Sequence, residues 1–301
     1  MTQDRNSDTF TSKDLPSLLK ETYTSWMADD PFRLSAIVAY YTVLALPALL
    51  VIIINVVGAI WGIDIVQGNL TNEISSALGS DAAKAIENII GETQNSNKNL
   101  TSTIIGIGTL LFGATGVFYQ LKISLNEIWK IKPNPKAKIW KIVTDRAISF
   151  AFILVIGFLL LVSFIVTTAI SALNNYIREV LPDVLLYLAY ILDFLLSVGI
   201  ISILFALMFK YLPDAKIKWK TVWIGAILTA LLFVIGKLLL GIYFGQADPG
   251  STYGAAGSII LILLWVSYSS LILFFGAEFT YVYAKRYGKG IEPTAISIKK
   301  E

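Results

Sequence analysis

The sequence predicts an all-α fold: a polytopic membrane helix bundle with about six transmembrane helices and both termini cytoplasmic. Two observations carry that expectation. Four stretches contain no Lys, Arg, Asp or Glu, namely Leu34–Ile63, Asn99–Leu121, Ala147–Ile177 and Pro249–Ala277. Each exceeds the roughly 20 residues that a helix needs to cross a bilayer. The composition agrees: 55% of the 301 residues are hydrophobic and 15% are charged, whereas a soluble domain carries about 25% charge. Mean hydropathy is +0.69. A chain of this length has no soluble core large enough to hide four such runs.

Taken in order, the predicted spans are Leu34–Ile60, Leu100–Leu121, Ala147–Leu173, Val184–Phe209, Thr221–Phe244 and Tyr253–Tyr283. The fourth and fifth are interrupted by Asp193 and Lys237, yet remain apolar on both sides of the charge. Loop charge sets the orientation. With the N-terminus inside, twenty of the 24 basic residues fall on the cytoplasmic side: the N-terminal segment, residues 122–146, residues 210–220 and the tail after 284. The opposite side receives only Lys84, Lys98 and Arg178. That is the positive-inside bias, and it fits an even number of spans. The organisation expected is a cytoplasmic segment 1–33, a membrane domain 34–284 and a cytoplasmic tail 285–301. The first 30 residues are polar and lack the short apolar core of a secretory signal, so the first span serves as the insertion signal.

Between the first two spans, EISSALGSDAAKAIENII sets Ile74, Leu78, Ala82, Ile86 and Ile89 on one helical stripe. This predicts an extracytoplasmic loop helix near 71–90, either capping the bundle or lying on the membrane, or else an ordinary packed loop helix. On the inner side KIKPNPKAKIWK is basic and turn-rich, with Pro133 and Pro135 breaking any helix. Its lysines fit contact with anionic headgroups, although topology alone demands them.

Asp193 and Lys237 are the strongest candidates for more than topology. Asp193 lies about nine residues, ~13 Å, and Lys237 about seven residues, ~10 Å, below the outer ends of consecutive helices. A charge in hydrocarbon costs several kcal/mol and calls for a partner or a water-filled cavity. Three readings follow: a substrate cavity open to the outside, a structural ion pair, or a lysine snorkelling to the interface. Pro47 falls mid-span and predicts a bend or break, because it lacks an N–H donor and clashes with the preceding turn. Glu278 near the inner end of the sixth helix, with Tyr40, Asn55 and Asn126, forms the candidate gating or coordinating set; a helix-end anchor is the plainer role for Glu278. Gly106, Gly108, Gly113 and Gly116 in the second span, and Gly254, Gly257 and Ser258 in the sixth, permit close helix approach. Leu125, Ile128 and Trp129 share one side of an interfacial continuation, with Trp129 at headgroup level.

Several stretches also carry a resemblance: AYYTVLALPALL (39–50), FGATGVFYQLKISLNEIWKI (112–131) and YGAAGSIILILLWVSYSSLILFFGAEFTYVYAKR (253–286). With the six-span layout, they resemble the YihY/virulence factor BrkB family of bacterial inner-membrane proteins, once labelled ribonuclease BN. The resemblance implies a six-helix fold, a multi-pass place in the bacterial inner membrane and a loosely defined, transport-related activity. The family approaches the helix-one proline through a Ser-Phe-Pro-like run; here it is Ala45-Leu46-Pro47, so no role for a serine carries over.

The chemistry the residues exclude is equally informative. Cysteine and histidine are absent, which removes disulfides, thiol nucleophiles and the commonest metal ligand. The cytoplasmic loops between spans offer only Glu127, Asp145 and Asp214, too few for a metal-dependent nuclease, and no GxxxxGK[ST] phosphate loop occurs. The expectation is therefore no enzyme, no metal and no cofactor. The expected function is a membrane transporter or exporter of a small solute, ion or lipid-like molecule. The alternative is a non-transporting scaffold that binds envelope proteins or lipids through the bundle and the loop 61–98. Membrane lipids and a small-molecule or ion substrate are the expected partners, with no nucleic acid. Homo-oligomerisation stays open, because glycine faces serve internal and intersubunit packing equally.

Overall fold

The computed structural model describes residues 10–78, 115–134, 183–247, 257–294 and 297–299, with isolated positions between 83 and 91 and between 144 and 159. The expected span at residues 100–114, most of the span Ala147–Leu173, and Gly106, Gly108, Gly113 and Gly254 lie outside the described residues. What is described is overwhelmingly helical. After a short 3-10 turn at Ser12–Asp14, α1 runs Leu15–Ala28, α2 Pro31–Trp61 and α3 Ile63–Leu78. Helix α4 occupies residues 115–128; α5 is Asp183–Tyr211, α6 Trp219–Ala247 and α7 Gly257–Tyr287. Among the described residues, three segments are long and apolar enough to cross a membrane: Phe194–Tyr211, Trp219–Phe244 and Ile259–Tyr287.

Local chemistry sets the helix ends. Asp30 takes a left-handed conformation (φ 52°) between α1 and α2, and Pro31 then opens α2, where its missing N–H is no loss. Gly62, at φ 98°, ends α2 with its N–H on the Gly58 carbonyl at 2.7 Å. A side chain would be strained at that angle. Helix α2 is continuous through Pro47, so the expected break is not found. A proline removes one ladder bond, and the 31-residue helix keeps the bonds on either side.

Helix α7 is central. It packs along α2 and α6, and α1 lies against its C-terminal half. The contact of α6 with α7 is unusually close, and both helices carry the same pattern, Gly-Ala-x-x-Thr: GAILT at 225–229 and GAEFT at 276–280. The two pentads interlock. Thr280 fills the space where a Gly225 side chain would stand, and Thr229 does the same at Gly276; a Cβ at either glycine would lie 1.8 Å from the facing Oγ1. Each threonine hydroxyl donates to its own helix, Thr229 to Gly225 O and Thr280 to Gly276 O, both at 2.7 Å. Lipid tails are as apolar as leucine, so helices in a bilayer associate through such packing rather than through a hydrophobic drive.

Two minimal antiparallel sheets close one end of the bundle. Strand β1 (Ile131–Pro133) pairs with β4 (Ser297–Lys299), and β2 (Ala215–Lys216) with β3 (Glu292–Pro293). The segment after α7 therefore ties together the turns that follow α4 and α5. Thr294 N–H and Ser297 Oγ both donate to the Asp214 carbonyl, at 3.0 and 2.7 Å. Helix α1 joins the same end: Leu18 clusters with Phe279, Val282 and Tyr283, and Phe10 packs on Tyr283 and Tyr287. Within the polar segment 1–33, for which the sequence predicted no helix, there is thus a packed helix. At the other end Ile86 is buried with Leu50, Ile54 and Ile262, with Val66, Leu70 and Ile74 against them. The loop helix begins earlier than expected, at Ile63, and covers the bundle end.

Candidate functional site

The buried polar chemistry gathers at the end closed by the strands, in two nodes. The first is built on α4 and the α5–α6 turn. Lys122 Nζ lies 2.9 Å from Asp214 Oδ1, and the two side chains are only 6% and 7% exposed. Asn126, one turn further along α4, donates through Nδ2 to Asp214 Oδ2 at 3.2 Å and accepts the Asp214 N–H on Oδ1 at 2.8 Å. Asp214 is thus gripped at its carboxylate, its N–H and its carbonyl. A buried ion pair of this kind holds a geometry more than it adds stability, because desolvation offsets much of the attraction.

The second node joins α1, α7 and the residue that closes α4. Glu278 is fully buried in α7, nine residues before the helix ends at Tyr287. Neither of its carboxylate oxygens makes a hydrogen bond of ordinary geometry with a described residue, although the Ser25 and Asp29 side chains stand near enough to act on it. Ser25 and Asp29 of α1 and its C-cap face it, together with Lys130. Lys130 forms an ion pair with Asp29 Oδ1, while Asp29 Oδ2 is buried without a partner among the described residues. Lys130 is placed for this by a left-handed backbone, φ 57°, just after α4. Beside it Trp129 donates from Nε1 to the Ala277 carbonyl at 3.0 Å and is 1% exposed. Trp129 is therefore a core residue clamping α4 to α7, not the interfacial anchor expected; Leu125 and Ile128 are buried with it. Arg33 at the start of α2 pairs with Asp30 and Glu127, both at 3.1 Å, on the exposed rim of the same region.

The residues expected from sequence divide accordingly. Asn126 and Glu278 sit in these nodes. Asp193 and Lys237 do not. Each lies 18 residues from its end of the α5–α6 turn (193 to 211, 219 to 237), about 27 Å along the helix. That places both backbone positions toward the opposite end of the bundle. Lys237 is exposed, on a stretch of α6 where Ile235, Leu238 and Leu239 are exposed as well. The side chains of Asp193, Pro47 and Asn55 lie outside the described residues. Tyr40 is 59% exposed and packs edge-on against Tyr41.

A family model described as "Virulence factor BrkB" matches residues 22–297. The chain belongs to the virulence factor BrkB family. Among its relatives, a UPF0761 membrane protein of Pseudoalteromonas translucida is 26% identical over 265 residues, covering 86% of this chain and 83% of the relative. One from Tolumonas auensis is 31% identical over 189 residues, 60% of this chain and 57% of that protein. Another from Verminephrobacter eiseniae is 26% identical over 220 residues, 72% and 49% respectively. The chain thus spans about half the length of the last two. No solved structure matches it. In this BrkB-family chain the family match takes in Asn126, Asp214 and Glu278, and also Asp29, Lys122 and Lys130, which sequence reasoning passed over. Asp29 lies just past α1, one helical turn beyond the stripe Leu15, Leu18, Leu19, Thr22, Trp26, and nothing in the string sets it apart from the other acids of its segment; Lys122 and Lys130 are hidden among lysines explained by topology.

Proposed function

We propose that this BrkB-family membrane protein is a six-span transporter of the bacterial inner membrane. It moves a small solute, ion or lipid-like molecule, and does no covalent chemistry. The observation that carries the reading is Glu278: a fully buried carboxylate, making no hydrogen bond of ordinary geometry with the described residues and set beside a second acid, Asp29, inside an apolar helix long enough to span. Ionisable residues within spanning helices are rare and costly, and by default they mark substrate, ion or proton paths. The buried Lys122–Asp214–Asn126 node beside it gives the inner end a fixed polar frame against which α1 and α7 can shift.

The strand pairs support the topology in this reading. Residues 131–133, 215–216, 292–293 and 297–299 share one end of the bundle, so an even number of crossings separates each from the next. The basic loops belong to that same end, which by the positive-inside rule is cytoplasmic. Packing of α1 on the C-terminal half of α7 brings the N-terminal segment to it too.

The test is flux in proteoliposomes with a panel of anionic, cationic and lipid-like solutes, comparing the native chain with Glu278→Gln and Asp193→Asn/Lys237→Ala. Transport of any solute that is lost in Glu278→Gln, with the protein still folded, supports the reading. Flux indistinguishable from empty vesicles across the panel, together with loss of cellular function on deleting α3 but not in Glu278→Gln, would instead mark the scaffold alternative.

A further inference from the structure

The Glu278 node contains two carboxylates and one ammonium. Asp29 Oδ1 is satisfied by Lys130; Asp29 Oδ2 and both Glu278 oxygens make no hydrogen bond of ordinary geometry with a described residue, although Ser25 and the Asp29 and Glu278 side chains stand close to one another. If both acids were ionised, one negative charge would stand unmatched on carboxylate oxygens that are closed to solvent, although Lys130 beside them reaches the surface. An isolated buried carboxylate is costly enough that such a group binds a cation or takes a proton. The neighbours that act on Glu278 are Ser25 and Asp29 from α1, Lys130 from the end of α4, and Tyr281 on its own helix. Lys130 is the one cation among these.

We propose that Asp29 and Glu278 form a proton-binding pair, taking up and releasing one proton per transport cycle, so that the ion coupled to transport is H⁺. A metal ion is the poorer occupant. It would need several oxygens arranged around it, and the Lys130 ammonium, already fixed on Asp29, would repel it. A proton instead attaches directly to a carboxylate oxygen, converts an unpaired acceptor into an O–H donor, and leaves the other carboxylate to Lys130. The step balances simply: one carboxylate and one H⁺ give one carboxylic acid. The pair bridges two separate elements. Asp29 closes α1 with its N–H on the Trp26 carbonyl at 3.2 Å, and the next residue carries the left-handed turn into α2. A change in charge at the pair therefore alters how α1 sits on α7.

This inference rests on the transport reading for its purpose but not for its chemistry, and its test uses no substrate. The full chain in lipid nanodiscs is treated with dicyclohexylcarbodiimide, which reacts with protonated carboxyls in apolar surroundings; the acid O–H adds across the N=C bond. Adducts are mapped by mass spectrometry. The expected result is labelling at Glu278 or Asp29 that falls about tenfold per pH unit above its midpoint, is unchanged by added Na⁺, and disappears in the double variant Glu278→Gln/Asp29→Asn. The Lys130→Met chain should label more at a fixed pH, since the ionised form loses its counter-charge. Protection by Na⁺, or labelling that ignores pH, would overturn the proposal. So would the absence of adducts in the folded chain when the unfolded chain labels at the same acidic pH. Should the double variant fail to fold, the infrared pH-jump spectrum decides instead: a carboxylic-acid carbonyl band that shifts in Asp29→Asn supports the pair, and its absence overturns it. Labelling as expected without any flux would sink the transport reading alone; flux without pH-dependent labelling would sink only the proton assignment.

Discussion

Replacing Gly225 by alanine tests the interlocked α6–α7 contact most directly. The added Cβ would lie 1.8 Å from Thr280 Oγ1, against 3.4–4 Å for ordinary contact, so the two helices or the threonine must yield by roughly 1.6 Å. Rotating Thr280 offers no escape, because its hydroxyl is held on Gly276 O and its Cγ2 is already 3.3 Å from the new atom. Overpacking of this sort costs about 1–3 kcal/mol, and losing the hydroxyl bond adds about 1 kcal/mol. Set against that, alanine in place of a helical glycine gains up to about 1 kcal/mol. The net expectation is a loss of about 1–3 kcal/mol. Gly241 on the same helix is the control, since a Cβ there meets nothing within 4 Å; Gly241→Ala should be neutral or slightly stabilising. The assay is reversible unfolding in mixed detergent micelles. Adding Thr280→Ala to Gly225→Ala removes the 1.8 and 3.3 Å contacts and leaves one at 3.0 Å, so the pair should recover at least about 1 kcal/mol beyond additivity. If Gly225→Ala and Gly241→Ala unfold alike, the helices do not approach as described and the reasoning fails.

The remaining predictions probe the closed end. Lys122→Met leaves Asp214 buried without its cation and should destabilise by about 3–5 kcal/mol; a further Asp214→Asn change should restore part of that in the same unfolding assay. The chain has no cysteine, so introduced pairs report cleanly: Lys132→Cys with Ile298→Cys, which face each other across β1 and β4, should oxidise readily, because facing Cα atoms in such a ladder lie within disulfide reach. Failure of that pair to cross-link faster than Lys132→Cys with Lys289→Cys would contradict the register. For the topology, a membrane-impermeant thiol reagent applied to intact cells should modify Lys84→Cys and spare Lys216→Cys; the reverse pattern would invert the orientation.

Much of the architecture was readable from residues alone. Helices α2, α5, α6 and α7 begin and end within a few residues of the apolar runs that predicted them, because the same polar flanks that end a run also end a helix. Helix α1 was missed since its segment was weighed by charge; its apolar stripe is narrow and half its surface is polar. The strands were out of reach for another reason. Pieces of two or three residues have no periodicity, and β1 finds its partner more than 160 positions away. Trp129 was misplaced because tryptophan after a spanning helix ordinarily marks the interface, and only the nearness of Ala277 draws it inward. The Gly-Ala-x-x-Thr repeats were visible in the string, yet α6 and α7 are apolar on all sides, so no face stood out as the contact. Among the site residues, Glu278 and Asn126 were found because a carboxylate or amide beside an apolar run is conspicuous. Lysines within a basic loop are not.

The pairing of β4 with β1 also bears on how the molecule is made. Residues 297–299 are synthesised after every element they hold, and joining ends so far apart in the chain is slow compared with forming a helical hairpin. The strand-closed face must therefore stay unlatched while α5, α6 and α7 are being placed, with the Asp214 carbonyl uncovered until β3 and β4 arrive. Protection of that face from protease is then a clock for the completion of assembly, read at the place where the first half of the protein meets its closing strands.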